Sequence, residues 1–128
     1  MQEKKKVSSS SAVNAVGTYS LGEEIANAVT HGLAVLLSIA GLVLMIIFAV
    51  RQSAGALAIV STSIFGASMI ILYTVSTLYH AIPNLRAKRV LQVLDHSAIY
   101  ILIAGSYTPF CLITLGGTTG IVLCSVVW

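Results

Sequence analysis

Six side chains in this sequence have types and spacings that could do chemistry together: Glu24, Asn27, His31, Ser76, His80 and Asp95. Ser76 and His80 stand at i and i+4, so on a helix the hydroxyl and the imidazole share one face. Between His80 and Asp95 the chain carries Pro83, Asn84, Arg86, Lys88 and Arg89, the composition of a turn. Two antiparallel helices joined there bring a hydroxyl, an imidazole and a carboxylate to the same depth. Glu24, Asn27 and His31 recur at i, i+3 and i+7, within about 60° of one another around a helix. A neutral imidazole among oxygen groups is what a zinc site uses. A catalytic zinc takes three protein ligands and a water, however, and one His with one Asp does not complete that set.

The elements that must hold these residues are membrane spans. Hydrophobic residues make up 57% of the 128-residue chain and charged residues 9%, with a mean hydropathy of +0.96. A soluble domain carries about 25% charged residues. So few charges cannot cover a globular surface, and the chain belongs in lipid. Gly32 to Val50 is an uncharged run of 19 residues, Ala54 to Tyr79 one of 26, and Ser97 to Leu115 one of 19. Each matches the about 20 apolar residues that a transmembrane helix needs. Thr118 to Trp128 adds 11 residues, about 17 Å of helix against a hydrocarbon core of about 30 Å. The expectation is an all-α polytopic transmembrane helix bundle, three spans and part of a fourth, in a chain that stops inside the membrane.

A net charge of +3 and a pI near 9.1 do not point to nucleic acid here, because the few charges sit beside the spans. Lys4, Lys5 and Lys6 precede the first span; Arg86, Lys88 and Arg89 follow the second; the loop between them has Arg51 alone. The positive-inside rule therefore makes the N-terminus and the Pro83–Arg89 loop cytoplasmic. Residues 1–19 have no apolar core of a signal peptide and read as a disordered cytoplasmic tail, with 20–128 as the transmembrane domain. In this topology all six residues map to the cytoplasmic leaflet. Polar groups are costly at that depth, and their convergence marks a functional site.

Local signals fill in the rest. Ser20 and Glu23 form a capping-box pattern that starts the first helix. Pro109 kinks the third helix or ends it near Thr108, and Gly116-Gly117 turns the chain into the last segment. Gly55, Ala56, Ala58, Gly66, Ala67 and Ser68 allow the second span to pack closely on its neighbours. Cys111 and Cys124 lie in apolar sequence, at a separation that is not a zinc spacing, and read as buried thiols.

Each polar residue also has a purely structural explanation. His80 can bond lipid headgroups or a backbone carbonyl, and Ser76 a carbonyl of its own helix. Asp95 can pair with Arg89 or Lys88, Glu24 and Asn27 can be helix-start polarity, and His31 a satisfied core histidine. His96, turned about 100° from Asp95, reads as structural.

Three motifs together resemble the bacterial hemolysin III family: Glu24-x-x-Asn27-x-x-Thr30-His31, Ser76-x-x-x-His80, and the run from Leu94-Asp95-His96-Ser97 to Gly105-Ser106-Tyr107-Thr108-Pro109. That family belongs to the progestin and adiponectin receptor superfamily and is more distantly similar to alkaline ceramidases. The resemblance covers Tyr19 to Trp128. It implies the first half of a seven-helix integral protein of the bacterial inner membrane, with a cytoplasmic N-terminus and membrane lipids as partners. It further implies a zinc ion with His80 as ligand, Asp95 holding the zinc-bound water, Ser76 beside it, and Glu24, Asn27 and His31 as site support. The remaining ligands belong to a His-x-x-x-His pair in a seventh span, which this chain lacks, so the chain alone is expected to be inactive. The implied reaction is lipid-amide hydrolysis: zinc brings its water's pKa to about 7, Asp95 takes the proton, and Ser76 hydrogen-bonds the oxyanion. Two rival readings are a non-enzymatic membrane-homeostasis or sensing protein and a pore-forming cytolysin. A pore needs polar residues through the full depth, and here they gather at one leaflet.

Overall fold

The computed structural model describes residues 19–128, so the expected tail lies outside the described residues apart from Tyr19. The first helix, α1 (Leu21–Arg51), begins at the capping box: Ser20 Oγ accepts the Glu23 N–H at 3.3 Å, and Glu23 Oε2 accepts the Ser20 N–H at 2.6 Å. Reciprocal bonds of this kind satisfy donors that a helix start leaves orphaned. The cap sits three turns ahead of the uncharged run, and for that reason Glu24, Asn27 and His31 are helical. A tight turn through Ser53 (φ +51°) and Gly55 (φ +84°) leads into α2 (Gly55–Ala81). Asn84 then caps α3 (Leu85–Pro109), its Oδ1 accepting the N–H groups of Arg86 at 2.9 Å and Ala87 at 3.2 Å.

The α-helix ends at Pro109, beside Thr108 as expected, but the helical path continues past it in altered form. Proline lacks an N–H, so the ladder cannot continue through it unchanged. The backbone passes into a π-helical turn, Phe110–Leu115, in which the Gly116 N–H reaches back five residues to the Cys111 carbonyl at 3.0 Å. Gly116 then adopts φ +61° and ψ −176°, a conformation open to glycine, and the chain reverses into α4 (Gly117–Val127). The Trp128 indole N–H donates to Thr108 Oγ1 at 2.9 Å, tying the end of α4 to the end of α3.

Three helical stretches, Leu21–Arg51, Gly55–Ala81 and Leu85–Leu115, are long and apolar enough to cross a membrane, and the described residues form an all-α transmembrane bundle. Helix α2 lies in the middle, packed on α1 along one side and α3 along the other. Close approach holds these contacts. Gly66 lies under Leu42 of α1 and Gly105 of α3 lies under Ser68, and at both glycines a Cβ would come within 3.0 Å of its neighbour. Lipid tails are as apolar as leucine, so tight backbone packing takes over the role that apolar burial has in water. Of the small residues expected to pack, Ala58, Gly66 and Ser68 do so, whereas Gly55, Ala56 and Ala67 face outward. The buried hydroxyls of Ser38, Ser61 and Ser68 each donate to a carbonyl of their own helix at 2.7 Å, which leaves no cost of an unpaired donor.

A polar site at one end of the bundle

Antiparallel packing brings the start of α1, the end of α2 and the start of α3 to one end of the bundle. There Glu24, His80 and Lys88 meet. His80 Nδ1 lies 2.7 Å from Glu24 Oε2, while Lys88 Nζ donates to Oε1 of the same carboxylate. The side chains are 7% (His80), 14% (Glu24) and 12% (Lys88) exposed, so all three are largely withdrawn from solvent. An ionised carboxylate only accepts hydrogen bonds. In a neutral ring the His80 nitrogen that faces it therefore carries the proton, and Nε2 then keeps its lone pair. This assignment follows from the chemistry of the partner.

Aromatic rings enclose the imidazole. Tyr79 lies 4.7 Å, Tyr19 5.4 Å and His31 5.9 Å from the His80 ring, centroid to centroid, and His31 in turn stands edge-on to Tyr73. Lys88 Nζ sits 5.4 Å from the Tyr79 ring centroid, within cation–π range. A cleft of about 270 Å³ opens here, with Leu21, Ile25 and Ile82 as apolar walls beside the three polar side chains. Two buried polar atoms near the end of the bundle have no hydrogen-bond partner among the described residues: His31 Nδ1 and Asp95 Oδ1.

The six residues singled out in the sequence fare differently. His80 does meet a carboxylate from a neighbouring antiparallel helix, but that carboxylate is Glu24 of α1 rather than Asp95 of α3; no hydrogen bond joins His80 to Asp95 among the described residues. Among the described residues Asp95 also makes no ion pair with Arg89 or Lys88, and Lys88 turns to Glu24 instead. Ser76 is 3% exposed. Its neighbour Thr77 donates to the Tyr73 carbonyl at 2.6 Å, whereas Ser76 makes no such bond among the described residues. Asn27 is half-buried; its side chain makes no hydrogen bond among the described residues, while its backbone carbonyl accepts the Thr30 hydroxyl at 3.2 Å. His96 takes the structural role expected of it, exposed with Nδ1 2.7 Å from the Gln92 carbonyl. The residue missed as part of the site is Lys88, read in the sequence for topology and as a partner for Asp95. A carboxylate as largely buried as that of Glu24 needs a cation, and the turn after α2 was the place to look for it.

With this geometry in hand, comparison with known proteins is decisive. A family model described as "Haemolysin-III related" matches residues 19–128, the whole of the described structure. The chain belongs to the haemolysin III family. It is 54% identical over 110 residues to the "Hemolysin-3 homolog" of Bacillus subtilis (strain 168), a match covering 86% of this chain and 51% of that protein. It is 48% identical over 106 residues to "Hemolysin-3" of Bacillus cereus, covering 83% of this chain and 48% of the relative. This haemolysin III chain thus spans about half the length of the curated relatives it matches. No solved structure matches it. Among the described residues, no group of three or more His, Cys, Asp and Glu side chains is arranged to hold a metal ion.

Proposed function

We propose that this chain supplies half of an intramembrane zinc site, with His80 as its ligand, and that the complete site hydrolyses amide bonds of membrane lipids. One observation carries the reading: a largely buried imidazole has its Nδ1 2.7 Å from a carboxylate oxygen, an arrangement that in the neutral ring leaves Nε2 as a lone-pair donor. Histidines that bind metal are held by this arrangement, the second nitrogen bonded to an outer carboxylate. The donor chemistry fits zinc as far as it goes. A buried carboxylate oxygen without a partner, Asp95 Oδ1, agrees with it too, because such an atom calls for a proton, an ion or water. One imidazole does not close a zinc site. The remaining ligands are assigned to the rest of the full-length fold.

Zinc, when bound, supplies a Lewis acid that polarises water and a lipid carbonyl. The residues of this chain do the remainder. Asp95 takes and returns a proton at Oδ1. Ser76, whose hydroxyl is not committed to its own helix, donates to the oxygen on which charge develops. Glu24 holds the His80 tautomer, and His31 walls the imidazole on the side of Tyr73. The excess of Arg86, Lys88 and Arg89 over Arg51 supports a cytoplasmic position for this end, in a bacterial inner membrane.

A second reading, a sensing or membrane-homeostasis protein without turnover, is favoured by the Glu24–His80–Lys88 contact, which links three helices whether or not a metal binds. The test uses purified full-length protein carrying these residues. Zinc should copurify and be lost on His80→Ala, and Asp95→Asn should keep the zinc and lose lipid-amide turnover. Absence of zinc from the unsubstituted protein overturns the metal site, and zinc without turnover leaves the sensing reading. Dye release from liposomes on adding the protein would revive the pore.

A further inference from the structure

We propose that Lys88 is a positioning residue for His80, acting through Glu24: the ammonium orients the shared carboxylate, and the carboxylate decides which imidazole nitrogen is left free. The inference deepens the zinc reading, but its first consequence, a fixed tautomer, needs no metal.

The geometry is that of a clasp. Helices α1 and α3 flank α2 and their backbones do not meet among the described residues. Lys88 to Glu24 is the one side-chain hydrogen bond between α1 and α3 among those residues, and His80 to Glu24 the one between α1 and α2. Both end on one carboxylate. With Lys88 on Oε1, the oxygen that remains for His80 is Oε2, so the ammonium fixes the rotation of the carboxylate about its last torsion. That torsion joins an sp³ to an sp² carbon and is intrinsically broad. Without Lys88 the carboxylate turns freely, toward water or headgroups at the open side of the cleft, and His80 Nδ1 loses its acceptor.

Burial argues that the contact is more than incidental. A largely desolvated ammonium and carboxylate are expensive unless bonded to each other, and Lys88 has the face of Tyr79 as a further partner. An ammonium is also the right donor. It is compact and brings three N–H bonds, so it can serve the carboxylate while its stem lies against the ring. Which imidazole nitrogen carries the proton is set by the bond made at the other. The chain of dependence runs from Lys88 Nζ to Glu24 Oε1, then from Oε2 to His80 Nδ1, and ends with the Nε2 lone pair.

The experiment records ring ¹⁵N resonances of histidine-labelled chain in lipid nanodiscs, without metal and at alkaline pH, where the rings are neutral. The unsubstituted chain should show His80 as one tautomer, protonated at Nδ1. Lys88→Met, which keeps the apolar stem, should give a mixture of both tautomers, and Lys88→Arg should restore the single one. His96, anchored to the Gln92 carbonyl, is the internal reporter that α3 is intact. If Lys88→Met also disturbs His96, Lys88→Gln, which keeps a donor at the helix start, is read in its place by the same criterion. A single Nδ1-protonated His80 in the intact Lys88 variant overturns the proposal. In the full-length protein the same Lys88→Met change should weaken zinc binding about 10- to 100-fold, the range seen for outer partners of metal-bound histidines. An unsubstituted protein that binds no zinc, but shows the tautomer switch, would sink the zinc reading and leave the role of Lys88 standing.

Discussion

Glu24 holds two partners with one carboxylate, so its removal strands both. Glu24→Ala leaves the Lys88 ammonium and the His80 Nδ1 proton without an acceptor in a largely buried setting. A buried donor deprived of its partner costs about 1–3 kcal/mol. Glu24→Ala should therefore lower stability by about that amount in detergent unfolding followed by circular dichroism. Glu23→Ala, one residue earlier and on the solvent side of the cap, should cost visibly less. No loss on Glu24→Ala would mean that the clasp contributes nothing. The position of Glu24 near this end was legible in the sequence, since the i, i+3, i+7 stripe and the charge count placed it there. Its partner was not. Which carboxylate reaches His80 depends on how each helix is rotated about its own axis, and spacing along one chain does not fix the rotation of another.

At the scale of the helices, spans were the most legible feature and interfaces the least. Uncharged runs give the three crossing segments because a charge inside the hydrocarbon is too costly to place at random. They do not say which small residue touches which neighbour, and three of the six small residues singled out on α2 (Gly55, Ala56 and Ala67) face outward. Gly105 and Ser68 show what the fold added. A Cβ at residue 105 would meet the Ser68 hydroxyl and its Cβ within 3.0 Å, and overpacking of this kind costs about 1–3 kcal/mol. Gly105→Ala should destabilise the α2–α3 pair by that much, and Ser68→Gly in the same chain should recover most of it. A double-mutant cycle reads the difference as a coupling energy of about 0.5–3 kcal/mol. Gly41→Ala is the control, because nothing lies within 4 Å of a Cβ there. If both alanines behave alike, the close packing at Gly105 is not what holds the helices. Pro109 teaches a related lesson: a missing N–H announced that the helix must change, but not that the change would be a π-helical turn after which α4 folds back and Trp128 reaches Thr108.

For the whole molecule, orientation follows from a small difference in charge, and the site makes that difference smaller still. Arg86, Lys88 and Arg89 flank the turn between α2 and α3, against Arg51 at the turn between α1 and α2. Lys88 is drawn into the clasp, while Arg86 and Arg89 remain exposed. On the proposed topology the two exposed arginines are then the loop residues that favour the cytoplasmic side for this end, by the rule that short basic loops stay inside. Cysteine labelling can decide it. In a chain with Cys111→Ala and Cys124→Ala, an impermeant maleimide should label Ser53→Cys on intact bacterial spheroplasts, and Leu85→Cys only after permeabilisation. Adding Arg86→Gln and Arg89→Gln should make the labelling mixed, with a fraction of chains inverted, because Lys88 alone would then face Arg51 across the two turns and the remaining bias would rest on Lys4, Lys5 and Lys6 well ahead of the first span. The Glu24–His80–Lys88 contact should survive in both populations, since it depends on helix packing and not on the direction of insertion. Exclusive labelling of Leu85→Cys from outside in the parent chain would reverse the assigned topology and move the polar site to the opposite leaflet.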